Sequence, residues 1–136
     1  MDLGYAVAPF SAWLVAGSTK FIINSIKARQ LAFSQIGYGG LPSNHSAIVS
    51  CAAALVGIRE GLSHPVFGVA VTLAFVVILD AASLRRQVGR HAELINRLNT
   101  GKQEILLRER MGHTRVEIAA GFLVGILTAW GINQMF

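Results

Sequence analysis

Long stretches without charge alternate with charged links along this chain of 136 residues. Lysine, arginine, aspartate and glutamate are all missing from four windows, at residues 3–19, 30–58, 64–79 and 118–136. A membrane-spanning helix needs about 20 mostly apolar residues, and the windows that are slightly shorter reach that length when flanking polar residues are included. The pattern therefore predicts an all-α polytopic membrane bundle of about four transmembrane helices, and it disfavours a soluble helical bundle.

Turn and capping residues set the expected helix bounds. We expect helices at residues 3–26, 43–60, 65–82 and 114–134, the third of them starting at Pro65. The link at residues 83–112 is charged, and residues 84–107 within it have an amphipathic pattern. This amphipathic segment either lies in the cytoplasmic membrane interface or packs as a helix on the bundle.

Smaller patterns bear on helix packing. Gly57 with Gly61 and Gly121 with Gly125 have the four-residue spacing that lets membrane helices approach closely, although glycine frequency alone explains both pairs equally well. The stretch HSAIVSCAAALVGI aligns without gaps to HTRVEIAAGFLVGI, which suggests a parallel internal repeat. The single cysteine, Cys51, is expected to be a small core residue.

Composition and charge support the membrane class and orient it. Hydrophobic residues make up 53% of the chain and charged residues 14%, and the length indicates one domain over residues 1–136. Eleven of the twelve lysines and arginines follow the first uncharged window or lie between the third and fourth windows, and Arg59 lies near the other end. The positive-inside rule makes those links cytoplasmic, as in a bacterial inner membrane protein. Without a visible recognition module, the net charge of +5 does not indicate a nucleic-acid partner.

This topology brings the ends of the first and third predicted helices, and the starts of the second and fourth, to the cytoplasmic face. The polar residues expected there are Lys20, Arg29, Ser43, Asn44, His45, Asp80, Arg85, Arg86, Glu109, His113 and Glu117. Ionisable residues at membrane depth are costly and are usually functional or paired, so Asp80 either supports the site or forms a structural ion pair with Arg85 or Arg86. Cations beside two helix N-termini favour an anion of phosphate size.

Two histidines add chemistry to this predicted anion site. One imidazole can act as a nucleophile and the other as a general acid. Glu117 lies four residues after His113, so on a helix it either orients that imidazole or forms a capping box with Thr114.

Three runs carry a family resemblance: GGLPSNHSA, DAASLRRQVGRHAELIN and RERMGHTRVEIAAGFLVG. Together they resemble the divergent, small branch of the type 2 phosphatidic acid phosphatase and vanadium haloperoxidase superfamily. The resemblance covers roughly residues 20–125, and it implies a metal-independent phosphatase, without a cofactor, that acts on lipid phosphates. Larger relatives have about six helices, which suggests that a homodimer completes the bundle here.

The resemblance also implies roles for individual residues. Lys20 and Arg29 match the phosphate-binding first motif, and Ser43 and His45 match the second. Asn44 stands where the second motif has glycine, and no proline follows Arg29.

His113 and Glu117 match the nucleophile and its carboxylate partner, which is an aspartate in the family. The arginine of the third motif is not at its usual distance, so Arg85 or Arg86 is expected to supply its charge. These observations predict a phosphatase for an isoprenyl diphosphate or a glycerophospholipid phosphate, working through a phosphohistidine. The alternative is a non-enzymatic anion carrier or a scaffold that binds anionic lipid, since either needs the cations but no histidine pair.

Overall fold

The computed structural model of the protein describes residues 3–29, 31, 40–98 and 106–136. The helices in these ranges are α1 (Gly4–Ala28), α2 (Asn44–Glu60), α3 (Pro65–Leu79), α4 (Arg85–Leu98) and α5 (Arg115–Met135). A π-helical turn, Asp80–Leu84, joins α3 to α4 without a break. No strand occurs in the described ranges, so the predicted all-α class is confirmed.

The three helices among the described residues that are long and apolar enough to cross a membrane are α1, α5 and the continuous helix Pro65–Leu98. The second predicted membrane helix corresponds to α2, which has only 17 residues and is not among these three. It lies at the centre of the bundle, in contact with α1, α3 and α5. Because protein surrounds much of α2, it can carry buried serines, Ser46 and Ser50, where a lipid-facing helix would carry apolar residues.

The amphipathic segment predicted from the sequence corresponds largely to α4, and residues 99–105 of it lie outside the described residues. Gly89 and Asn96 of α4 are buried, and both contact residues in the range 106–113. Leu98, in contrast, is 83% exposed. One face of α4 is therefore packed against its own chain, and an apolar face is left bare.

The backbones of α2 and α5 lie in direct contact along one seam. A Cβ atom on Gly121 would lie 2.3 Å from the carbonyl oxygen of Ser43, and one on Gly125 would lie 2.0 Å from Ser50 Oγ and 2.5 Å from the carbonyl oxygen of Ala47. Real Cβ atoms do not approach other atoms so closely, so only glycine fits at these two positions. The predicted close approach at Gly121 and Gly125 is confirmed.

Hydrogen bonds at the two ends of this seam show that α2 and α5 run parallel. Ser43 N–H donates to the carbonyl oxygen of Glu117 (2.9 Å) where the helices start, and Arg59 Nε donates to Asn133 Oδ1 (3.1 Å) near their ends. The starts of α2 and α5, each with a histidine beside it, therefore lie at the same end of the bundle. We call this the histidine end.

Helix α1 runs antiparallel to α2. The hydroxyl of Tyr5, in the first turn of α1, donates to Glu60 at the last residue of α2. Midway along the pair, the buried Cys51 thiol donates to the carbonyl oxygen of Ala8 (3.5 Å), so Cys51 is a small core residue, as predicted. The later half of α1, which carries Lys20, consequently lies toward the histidine end.

Replacing Gly125 by alanine should destabilise the protein, because the added methyl group would overlap Ser50 Oγ and the Ala47 backbone. Overpacking of this kind costs about 1–3 kcal/mol. Gly131→Ala in the same helix is the matched control, since its Cβ would meet nothing within 4 Å and should leave stability unchanged or slightly raised. Thermal midpoints in detergent measure both variants, and equal midpoints would contradict the direct contact of α2 with α5.

Candidate active site

The π turn positions the backbone of His113. Arg85 N–H bonds to the carbonyl oxygen of Asp80, five residues back, and not to that of Ala81, four residues back as in an α-helix. The Ala81 carbonyl oxygen instead accepts from His113 N–H at 3.0 Å. The guanidinium of Arg86 donates to the carbonyl oxygen of His113 at 3.2 Å. Both polar backbone groups of His113 are thus held by the π turn and the start of α4.

The side chain of Asn96 on α4 bonds to the residues before His113. Its Oδ1 accepts from Leu107 N–H (2.9 Å), while its Nδ2 donates to the Leu107 carbonyl oxygen (2.8 Å) and to Glu109 Oε1 (2.9 Å). Gly89 lets the chain approach, since a Cβ there would lie 2.3 Å from the carbonyl oxygen of Glu109. Glu109, predicted as a supporting site residue, is therefore bonded to α4, and no described contact joins it to either histidine.

The two histidines predicted to act together lie side by side. The ring centroids of His45, in the first turn of α2, and His113, just before α5, are 6.0 Å apart, and their planes are inclined at 55°. Only 8% of His113 is exposed. His45 Nδ1 is buried and has no hydrogen-bond partner among the described residues. The two rings are therefore close enough for one small group to contact both of them.

Glu117 makes the contacts that belong to both roles left open by the sequence. Its Oε2 lies 3.2 Å from His113 Nδ1 and also accepts from Thr114 N–H at 2.9 Å. Thr114 Oγ1 accepts from Glu117 N–H at 3.2 Å, which completes the capping box. The cap therefore fixes the carboxylate oxygen that faces the imidazole. When Nδ1–H donates to this oxygen, the lone pair of His113 is on Nε2.

The surroundings of His113 favour its neutral form. Burial lowers the pKa of His113, the hydrogen bond to Glu117 opposes that change, and the charges of Lys20 and Arg85 lower the pKa further. The net effect is a pKa below its ordinary value of about 6.5. This direction favours the neutral imidazole, the form that can act as a nucleophile.

The predicted cations divide into two groups. The charges of Lys20 and Arg85 act on both His45 and His113, which places them at the site. Arg85 Nε also forms an ion pair with Asp80 Oδ2 at 3.0 Å. The sequence had left open whether Asp80 would pair with Arg85 or with Arg86. Arg29 is exposed at the C-cap of α1 with φ 51°, and no described contact brings it to the histidines.

The start of α2 is capped by Ser43, which is fully buried. Its Oγ accepts from Ser46 N–H (3.4 Å) and from the Ser46 hydroxyl (3.1 Å). Because Ser43 N–H already donates to Glu117, that donor is not free for an anion. Asn44 lies against Gly17 of α1, and its Oδ1 is buried without a partner in the described ranges. Asn44 and the residue after it are the first two residues of α2, so their N–H groups have no acceptor within the helix.

Sequence reasoning missed the π turn and the attachment of residues 106–113 through Asn96. A single asparagine that is buried on an amphipathic helix is a usable signal, because its side chain must bond to something. The π turn has no such signal, since DAASL is an ordinary helical sequence.

The two halves of the proposed repeat do not begin at equivalent positions of their helices. His45 follows its cap Ser43 by two residues, whereas His113 precedes its cap Thr114 by one.

The fold and this geometry define a small, all-helical membrane protein with a pair of histidines at one end. Over residues 4–128 the chain matches the divergent PAP2 family, and it belongs to that family. The uncharacterized membrane protein YuiD of Bacillus subtilis (strain 168) is 31% identical over 148 aligned positions, which cover 96% of this chain and 94% of YuiD. No solved structure matches the chain. The resemblance carried by GGLPSNHSA and the two later runs is confirmed at the level of the family.

Replacing Glu117 by glutamine should lower the pKa of His113 further, because the carboxylate that opposes the effect of burial is lost. The fold should persist, since the amide oxygen of glutamine can still accept from Thr114 N–H. NMR titration of the imidazole and the thermal midpoint measure the two effects. Glu93→Gln is the control, because Glu93 pairs with Arg97 on the exposed side of α4. An unchanged or raised pKa in Glu117→Gln would show that Glu117 is only a cap.

Proposed function

We propose that the protein is a membrane-embedded phosphatase that hydrolyses a lipid phosphate or diphosphate through a phosphohistidine. The observation that carries this proposal is the pair of imidazoles with centroids 6.0 Å apart, one of which is bonded to a carboxylate. Membership of the divergent PAP2 family supports a hydrolase of this kind. Isoprenyl diphosphates and glycerophospholipid phosphates are the two substrate classes that we consider.

The reaction has two steps with His113 as nucleophile. In the first, its Nε2 attacks phosphorus in line, so that a P–N bond forms while the bond from phosphorus to the leaving oxygen breaks. His45 donates a proton to that oxygen and Glu117 stabilises the positive charge on the attacking ring. In the second step His45 takes a proton from water, whose oxygen attacks phosphorus and breaks the P–N bond. Phosphate leaves, and both histidines return to their initial states.

Stabilisation of the phosphoryl oxygens would come from fixed positive charge. Lys20 and Arg85 are the cations that act on both histidines, and the N–H groups at the start of α2 are further donors. Preorganised donors of this kind usually supply most of the acceleration of phosphoryl transfer. We assign Arg86 to positioning, because its guanidinium already bonds to the carbonyl oxygen of His113. Arg29 stays a candidate from the family motif alone.

We infer that the histidine end faces the cytoplasm of a bacterial inner membrane, because the basic residues are concentrated there. We also keep the hypothesis that two copies associate, since the larger relatives have more helices than this chain. A homodimer would add helices beside the bundle without changing the residues of the site.

Cysteine labelling tests the orientation. In a Cys51→Ala background, Ser63→Cys lies in the turn between α2 and α3, and Gln87→Cys lies on the exposed side of α4. A membrane-impermeant maleimide should label Ser63→Cys in intact cells, and it should label Gln87→Cys only after the membrane is opened. The reverse pattern would place the site outside the cell.

Purified protein should release phosphate from lipid phosphates in the presence of a chelator. His113→Ala should abolish release, because the other imidazole described in the site, His45, has no carboxylate partner among the described residues and is assigned to proton transfer. His45→Ala should lower turnover by about 100- to 10,000-fold, and it should lose much less with a leaving group that needs no proton. His91→Ala on α4 is the control and should turn over normally.

Two outcomes would contradict the mechanism. A His113→Ala protein that turns over near the parent rate would exclude the phosphohistidine. The absence of release across isoprenyl diphosphates and glycerophospholipid phosphates would favour a non-enzymatic anion carrier or lipid-binding scaffold.

A further inference from the structure

An apolar groove lies between the end of α3 and the start of α5, close to the histidine end. It has a volume of about 560 Å³, within the range of pockets that bind small ligands. The hydrophobic side chains that line it are Ile78, Ala82, Ile118, Ala119, Phe122 and Leu123. The remaining lining residue, Arg115, is the first residue of α5 and supplies the charged rim. The groove is therefore apolar along its length and cationic at one end.

Residues that line this groove are neighbours in sequence of residues that contact His113. Ala82 follows Ala81, whose carbonyl oxygen accepts from His113 N–H. On the opposite wall, Ile118 follows Glu117, whose carboxylate contacts the His113 ring. Leu123 lies eight residues after the rim, or about 12 Å further along the axis of α5. Neither histidine lines the groove, but the groove begins at Arg115, two residues after His113, and continues along α5 toward the apolar middle of a membrane-spanning helix.

We propose that the groove between α3 and α5 binds the hydrocarbon chain of the lipid phosphate while its phosphate lies between His45 and His113. This inference rests on the phosphatase proposed above and adds where the chain of the substrate lies. The bound lipid enters sideways from the bilayer, with its charged end toward Arg115 and its chain against Phe122 and Leu123.

Charge and position identify the occupant. The cations at the rim and at the site, Arg115, Arg85 and Lys20, complement an anionic headgroup. A surface that binds the hydrocarbon chain of the same lipid must extend from the headgroup into the bilayer. The groove extends in that direction. An acyl or isoprenyl chain has both properties in one molecule. A transmembrane helix of a partner would fill the apolar part and leave the cations without an anion.

Filling the groove should separate long-chain from short-chain substrates. Ala119 is exposed in the groove, so Ala119→Phe blocks the groove without disturbing the packing of α2 against α5. We expect the KM for hexadecyl phosphate to rise roughly tenfold, which is the effect of losing one apolar contact. The kcat/KM for butyl phosphate should be nearly unchanged, because its short chain does not reach the groove. Ala6→Phe, at an exposed alanine of α1 outside the groove, is the matched control and should leave both substrates unaffected.

Photolabelling gives a second measurement that does not depend on turnover. The probe is a long-chain alkyl phosphonate that carries a diazirine in its chain, which the enzyme cannot hydrolyse. It should label residues 115–123, hexadecyl phosphate should compete, and Ala119→Phe but not Ala6→Phe should lose the label. The same chain on a neutral alcohol should label this segment much less.

The outcomes separate the two proposals. Specific labelling of the groove without any phosphate release would support the groove and contradict the phosphatase. Phosphate release with labelling elsewhere would overturn the groove and leave the phosphatase standing. Equal labelling by the phosphonate and the alcohol would also overturn the proposed groove site, because the groove would then bind any membrane lipid and not specifically a lipid phosphate.

Discussion

The contact between the backbones of α2 and α5 is the constraint on which the rest of the structure depends. Gly121 and Gly125 allow these helices to touch, and the contact sets their register so that Ser43 N–H reaches the carbonyl oxygen of Glu117. That register places the start of α2 beside the start of α5. The 6.0 Å separation of the two imidazoles follows from it, because each histidine is within two residues of a helix start.

A small membrane protein has few residues with which to fix a polar site, and here single groups serve more than one purpose. One carboxylate oxygen of Glu117 accepts from the backbone at the start of α5 and also faces the ring of His113. Arg85 is paired with Asp80 while its charge acts on both histidines. Sharing of this kind couples stability to the electrostatics of the site, so that a substitution at Glu117 or Asp80 changes both.

Much of the architecture could be predicted from sequence because it depends on local composition. The uncharged windows predicted the three helices that can span a membrane, and Thr114 forms the capping box that its spacing from Glu117 suggested. The grouping of Lys20, His45 and His113 followed from topology alone.

The parts that could not be predicted depend on which backbone group bonds to which. The sequence did not distinguish Arg85 from Arg86, because their roles differ through the acceptor that each guanidinium reaches, Asp80 Oδ2 or the carbonyl oxygen of His113. The position of Glu109 on α4 depends on a contact with Asn96, which lies 13 residues away along the chain. Composition and spacing carry no information about such pairings.

The π turn has a consequence for how this chain tolerates changes of length. From this turn onward the faces of α4 are rotated by roughly one residue, about 100°, relative to an uninterrupted α-helix. Losing one residue from the turn would leave a helix just as long and as apolar, with the same hydropathy profile. It would turn Arg86 away from His113 and return the Ala81 carbonyl oxygen to the helix. The present chain and one that lacks this residue would therefore have the same hydropathy profile, but only the present chain would fix the backbone of His113.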